Sequence, residues 1–294
     1  MKIKIASMLC CLAGFLWNGG LAQEQAKALF LQEMTWTDVA GYLKNSDMVI
    51  IPLGSTEQHG PHLPLGTDFY EAKGIAGLIS ERTGVLVAPV LFSGYSVYHS
   101  GFPGTLSLKP ETMETVLYET VELLIKYGFR RIMFFNYHGG NSIVERKVIH
   151  RINHTTEAAA VAIGIGSPFQ KYESLSDIMY DSHAGVAETS LMLYLEPELV
   201  KLERAEKPEI LSTPRMKELL ELSREHPELM EVLGTMQFVP EETQKGGATH
   251  EITSNGIYSS ADPKESTPEL GEKQADRMVE SAVKFIEAWK KTTL

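Results

Sequence analysis

Apolar residues along this chain follow two alternating patterns. Short unbroken runs occur at Met48 to Pro52 (MVIIP), Val85 to Val90 (VLVAPV), Arg131 to Asn136 (RIMFFN) and Ala158 to Ile165, each bounded by Gly, Pro or polar residues. Runs of this length without polar alternation predict strands buried on both faces. Between them apolar positions return every three or four residues, which predicts helices at roughly 69–82, 110–127, 141–156, 184–196, 215–232 and 269–290. Met113, Val116, Leu117, Val121, Leu124 and Ile125 form one such stripe. Alternation of strand and helix at this spacing predicts an α/β fold of three layers, α/β/α, with a mostly parallel central sheet. Ligands in such folds bind beyond the carboxyl ends of the strands, so the loops that follow strands are where chemistry is expected. Residues 201–245 are charge-rich and hold no obvious strand. They predict a helical excursion within one domain, 23–294, rather than a second domain.

Composition narrows the class. Of 294 residues, 43% are hydrophobic and 22% charged, which is ordinary globular usage. The net charge is −11 with no long basic run, which argues against a nucleic-acid partner or an anionic membrane surface. The first 22 residues carry Lys2 and Lys4, an apolar stretch from Ile5 to Trp17, and the small-residue end Gly20-Leu21-Ala22. This predicts a cleaved signal peptide, a mature start at Gln23 and a periplasmic or secreted protein. The apolar run is shorter than the ~20 residues a membrane span needs, so no stable insertion is expected after cleavage. Cleavage removes two lysines and no acid, taking the net charge from −11 to −13. It also removes Cys10 and Cys11, the only cysteines. A cysteine nucleophile or thiolate-held metal is thereby excluded from the mature protein.

Three loops after predicted strands concentrate groups able to hold metals. The first is Gly54-Ser55-Thr56-Glu57-Gln58-His59-Gly60-Pro61-His62-Leu63-Pro64-Leu65-Gly66-Thr67-Asp68. Glu57 and His59, two apart, point the same way in an extended loop. Asp68 opens the next helix, either as an N-cap or as a ligand. The second is Asn136-Tyr137-His138-Gly139-Gly140-Asn141-Ser142, where His138 ends a strand and Asn141 or Ser142 can cap the helix that follows. The third is His183-Ala184-Gly185-Val186-Ala187-Glu188, with Glu188 in the first turns of a helix, where an acid also complements the dipole. His99, in a turn, either lines the same cleft or decorates a loop. Two imidazoles and three carboxylates from separate loops match a two-metal hydrolase site, for Zn²⁺, Mn²⁺ or Fe²⁺ rather than Ca²⁺. Other signatures fail. His250-Glu251 has no second histidine to complete a zincin motif, and neither a Walker loop nor a Gly-x-Ser-x-Gly elbow occurs.

These clusters, together with Phe102-Pro103-Gly104-Thr105 and His183-Ala184-Gly185-x-x-Glu188-Thr189-Ser190, resemble the creatininase (creatinine amidohydrolase) family in order from about residue 36 to 200. Ser254-Asn255-Gly256-Ile257 to Gly271 looks like that family's C-terminal loop and helix. The resemblance implies the three-layer fold, a homo-oligomer and a binuclear metal site that hydrolyses a non-peptide C–N bond of a cyclic amide, lactam or formamide. It implies that Glu57, His59, Asp68, His138 and Glu188 are metal ligands, with Asp68 bridging, and that His183 shuttles a proton to the leaving nitrogen. His99, Tyr137 and Gly140 are expected to face the small-molecule substrate. The chain departs from creatininase proper at Gly140, where that enzyme has an acid, and at Ser182, where it has a glutamate. After signal cleavage only Trp36 and Trp289 remain as tryptophans, so Tyr172 or Tyr180 is expected to replace in part the ring that closes over creatinine. A small carbonyl compound other than creatinine is therefore the expected substrate. The alternatives are a lactone or ester hydrolase, and a non-catalytic exported protein that binds metal or solute.

Overall fold

A computed structural model describes residues 27–91, 93–164 and 181–293. The expected signal peptide (1–22), Tyr172 and Tyr180 lie outside the described residues. The apolar runs form a four-stranded parallel sheet of β1 (Met48–Leu53), β2 (Leu86–Val87), β3 (Arg131–Asn136) and β4 (Ala159–Ala162), in the order β2-β1-β3-β4. Every residue of β1 is buried, as a strand covered on both faces requires. The helices are α1 (Trp36–Tyr42), α2 (Thr67–Thr83), α3 (Pro110–Tyr127), α4 (Ser142–Thr155), α5 (Val186–Leu195), α6 (Pro214–Leu222), α7 (Leu229–Gly234), α8 (Thr249–Ile252) and α9 (Pro268–Trp289).

Side chains alternate across the strands and so build two cores. On one face Val49, Ile51, Leu53, Ile132 and Phe134 pack against Leu117 and Val121 of α3 and Val148 and Ile152 of α4. On the other, Met48, Ile50, Met133 and Phe135 pack against Ile75 and Ile79 of α2, Leu191 of α5, and Val279 and Ile286 of α9. The result is the expected α/β/α sandwich. Register then places the site. Met48 pairs with Arg131 and Leu53 with Asn136, so β1 and β3 end together and release their loops side by side.

Several elements differ from expectation, among them the short helices α1 and α8, which the apolar pattern does not mark. β2 stops at Val87 because Pro89, two residues on, has no N–H to give a ladder. The helix expected over 215–232 is two, α6 and α7, separated by a turn holding Pro227, whose ring disfavours a continuous helix. A short antiparallel pair, β5 (Asp181–His183) with β6 (Tyr258–Ser259), had no signal at all, since three and two residues carry no period. Among the described residues no helix is long and apolar enough to cross a membrane.

Candidate metal centre

The loop after β1 turns back on itself, with the Glu57 N–H donating to Leu65 O at 2.8 Å. At its start, Gly54 lies so close to α2 that a Cβ would sit 2.6 Å from Phe69 Cα, a contact only glycine allows. Helix α2 begins after Gly66 without a side-chain cap, so Asp68 is free of the capping role and turns its carboxylate inward. Its two oxygens divide between two histidines: Oδ1 is 3.2 Å from His59 Nε2 and Oδ2 is 3.1 Å from His138 Nδ1. Glu57 Oε2 lies 3.2 Å from the same His138 Nδ1, and its Oε1 lies 3.2 Å from His99 Nε2. Glu188 Oε2 approaches His59 Nε2 at 3.8 Å and accepts the Ala184 N–H. Ala184 takes the left-handed conformation (φ 54°), a strained choice for a residue with a Cβ that sits between His183 and the helix bearing Glu188.

The outward nitrogens of three histidines meet backbone carbonyls. His59 Nδ1 faces Glu57 O at 3.2 Å, His138 Nε2 faces Tyr95 O at 3.0 Å and His183 Nε2 faces Gln58 O at 2.7 Å. A carbonyl only accepts, so each ring keeps a proton on that side. The other nitrogen is then the one that can offer a lone pair to the cluster, an arrangement typical of metal-ligating histidine. His59 Nε2 and Asp68 Oδ2 are buried without a hydrogen-bond partner, which is costly unless a cation satisfies them.

The electrostatics favour positive charge at this place. Burial acts to lower the His59 pKa, yet Asp68, Glu188 and Glu57 outweigh it and push it up to about 10. Burial is likewise overcome at His138, which Glu57 holds well above the usual histidine range. Glu57 is held well below the carboxylate range by His138 and His99, despite burial. A divalent cation competes for these same groups by displacing protons. The carboxyl of Glu188 is pushed up to about 7, mainly by burial. His183 is set apart: burial, with His59 and His99 as neighbours, holds it well below the usual range, so it is neutral at pH 7. Its ring lies 4.3 Å from that of His59 and 4.5 Å from that of His99, centroid to centroid.

Seven of the nine expected site residues therefore meet: Glu57, His59, Asp68, His99, His138, His183 and Glu188. Their ligand atoms fall into three groups, each within 4.8 Å: Glu57, Asp68 and His138; His59, His183 and Glu188; Glu57, His99 and His183. Tyr137 is not among them. It follows the alternation of β3 and packs beside Phe135 in the core, ring centroids 6.4 Å apart. Gly140 touches the site's aromatic wall, where an added Cβ would lie 2.1 Å from Tyr95 O and 2.5 Å from Tyr98 Oη. No acid can stand there without moving that wall. Asn141 does not cap α4; its amide donates to Gly54 O and accepts the Tyr95 N–H, tying together the stretches that follow β1, β2 and β3. Gln58 and Thr249 also reach the cluster. Neutral polar residues such as these carry no sequence signal of such a role.

Comparison with known proteins gives a consistent picture. The family model for creatininase, creatinine amidohydrolase, matches residues 32–286. A mycofactocin precursor peptide peptidase of Mycolicibacterium smegmatis is 38% identical over 166 residues, 51% of this chain and 59% of that protein. A creatinine amidohydrolase of Pseudomonas putida is 32% identical over 61% of this chain and 76% of its own length. The chain thus spans about three fifths of the length of the first curated relatives it matches. A crystal structure of creatinine amidohydrolase (creatininase) superposes with a TM-score of 0.69 at 25% identity, covering 91% of this chain and all of that one. Zn–Zn and Mn forms of creatininase superpose similarly.

Proposed function

As the chain belongs to the creatininase family, we propose that it is an exported hydrolase that holds two divalent metal ions and cleaves a non-peptide C–N bond in a cyclic amide, lactam or formamide. The observation that carries this reading is the division of Asp68, one oxygen toward His59 and the other toward His138. A carboxylate so placed could serve two ions, of which Glu57 and His138 would help hold one and His59 and Glu188 the other. Three carboxylates and two imidazoles suit Zn²⁺, Mn²⁺ or Fe²⁺, and the Zn–Zn and Mn creatininases support the first two. Such ions, when bound, polarise a carbonyl oxygen and lower the pKa of water.

The chain's own residues supply the rest. Gln58 O holds the proton of His183 Nε2, so Nδ1, 3.9 Å from Glu57 Oε1, is the atom that takes a proton from water. The same atom can pass it to the leaving nitrogen, which departs poorly as an anion. Tyr98 and Gly140 close the wall beside His138. We further propose a small-molecule substrate, a homo-oligomer and a periplasmic or secreted location. Sequencing protein from the cell envelope, expected to begin near Gln23, tests the last.

Gly140, with no room for an acid, makes the polar surroundings differ from those expected of creatininase proper, whereas Ser182 is exposed on β5. Creatinine is therefore expected to be a poor substrate, since a buried polar group left unpaired by the wrong ligand is costly. The test is steady-state hydrolysis by Zn- or Mn-loaded protein across creatinine, lactams, formamides and lactones. A creatinine kcat/KM above about 10⁴ M⁻¹s⁻¹, ordinary for an enzyme on its own substrate, would refute the substrate reading. Turnover of lactones alone would replace the amide reading, and none at all would leave a metal- or solute-binding protein.

A further inference from the structure

His99 differs from the other histidines of the site. Its outward nitrogen, Nδ1, faces no carbonyl; it lies 2.8 Å from Thr249 Oγ1 and 3.1 Å from Gln58 Nε2. The Gln58 amide has a defined orientation, because its Oε1 accepts the Gly60 N–H at 3.0 Å and its Nε2 donates to Gly256 O at 3.1 Å. One Gln58 hydrogen remains. His183 Nε2 is 2.9 Å away, but its own proton is committed to Gln58 O, so it cannot accept. The acceptor left for that hydrogen is His99 Nδ1, and the Thr249 hydroxyl donates to the same atom. Nδ1 is therefore the bare nitrogen of His99, and Nε2 carries the proton, 3.2 Å from Glu57 Oε1. A protonated nitrogen cannot ligate a cation.

We infer that His99 is not a metal ligand but the positioning residue of Glu57, donating its Nε2–H to Oε1 and leaving Oε2 toward His138, with the Gln58 amide setting the tautomer and Thr249 supporting it. The inference rests on the two-ion reading above. It makes the stretch around the helical excursion part of the site: Thr249 lies just beyond residues 201–245, and Phe238, within them, packs its ring 6.2 Å from that of His99. Phe238 does so from the left-handed conformation (φ 51°), a strain the surrounding packing must offset. Tyr98 covers the ring at 4.6 Å. An orienting hydrogen bond of this kind changes metal affinity about 10- to 100-fold when removed.

The experiment compares zinc content and zinc affinity, by chelator competition, in the full chain and in H99A, H99Q and T249V. Glutamine presents an amide N–H at the reach of Nε2, so H99Q is expected to stay within about threefold of the unmodified protein. H99A should keep two zinc ions but bind one of them about 10- to 100-fold more weakly. T249V removes one of the two donors on Nδ1 and should weaken that ion about three- to tenfold. A ligand role would cost H99Q and H99A a whole equivalent of zinc, which overturns the inference. So does H99Q binding as poorly as H99A, or H99A binding as tightly as the unmodified protein. Should H99A fail to fold, H99Q decides, and loss of a whole equivalent of zinc there overturns the inference. If the unmodified chain takes up one zinc ion instead of two, the two-ion reading fails, while the comparison around Glu57 is still read on the ion that remains.

Discussion

The two halves of the site are built on unlike foundations. Glu57, Asp68 and His138 stand at the ends of β1 and β3 and the start of α2, where a parallel register aligns the strand ends, and all three are at most 4% exposed in their side chains. His59, His183 and Glu188 hang on a loop, a three-residue strand and a helix reached through the strained Ala184, and Glu188 is 19% exposed. The difference separates rigid holding from approach. The sheet half gives a rigid seat for one cation; the loop half, with Glu188 more open and the Nδ1 of His183 facing inward, is where a substrate and a proton would arrive.

The largest expected effect comes from breaking the residue both halves share. Asp68→Ala should lose most of both ions and reduce turnover to background, since its two oxygens face both histidines. Elemental analysis showing normal metal content would remove Asp68 from the bridge. His183→Ala should leave metal content intact while slowing turnover by roughly 10² to 10⁴, the range for a positioned acid–base group. Loss of metal in that variant would instead make His183 a ligand and merge the two halves.

The smallest effect probes the support beneath the sheet half. Asn136 accepts the His138 N–H at 3.1 Å and lies beside Glu145, a buried acid with one oxygen unpartnered. Burial pushes the Glu145 carboxyl up to about 7 from an ordinary 4.5. The folded protein then keeps a proton that the unfolded chain releases, so stability falls as pH rises from 4.5 to 7 and stays lower above that. Glu145→Gln cannot ionise. It should gain up to about 3 kcal/mol over the unmodified protein at pH 8 and nothing at pH 4.5, as denaturant melts would read. An equal gain at both pH values would mean that ionisation of Glu145 is not the cost.

Sequence legibility follows the same division. MVIIP and RIMFFN mark β1 and β3 because a strand buried on both faces must be apolar throughout, and α3 spans the residues its stripe predicts. Metal-ligand types gathered after those strands make the sheet half readable as chemistry. The other half was legible only in part. His183 and Glu188 stood out by type, but β5 and β6 are too short for any pattern. Thr249 reaches His99 from 150 residues away through a hydroxyl that looks like any other. Gln58 carries no sequence signal of a role, although its amide and carbonyl order two imidazoles. Asp68 reads locally as a cap or as a ligand, and only the fold, by starting α2 after Gly66 without a side-chain cap, separates those readings.

The pairing of Leu53 with Asn136 has a consequence for how chains of this kind can change in length. One residue added to or removed from β1 or β3 would displace one set of ligands relative to the other by about 3.3 Å. It would also turn the strand's side chains to the opposite layer. Metal–ligand distances tolerate only a few tenths of an ångström. Insertions can therefore accumulate only where no strand length is being measured against another. The stretch from 201 to 245 satisfies that condition, since it begins after the last ligand candidate, Glu188, and contains none of the named strands. Variation in chain length is thereby channelled to the rim of the site, where it can reshape what enters while the spacing of the ligands stays the same.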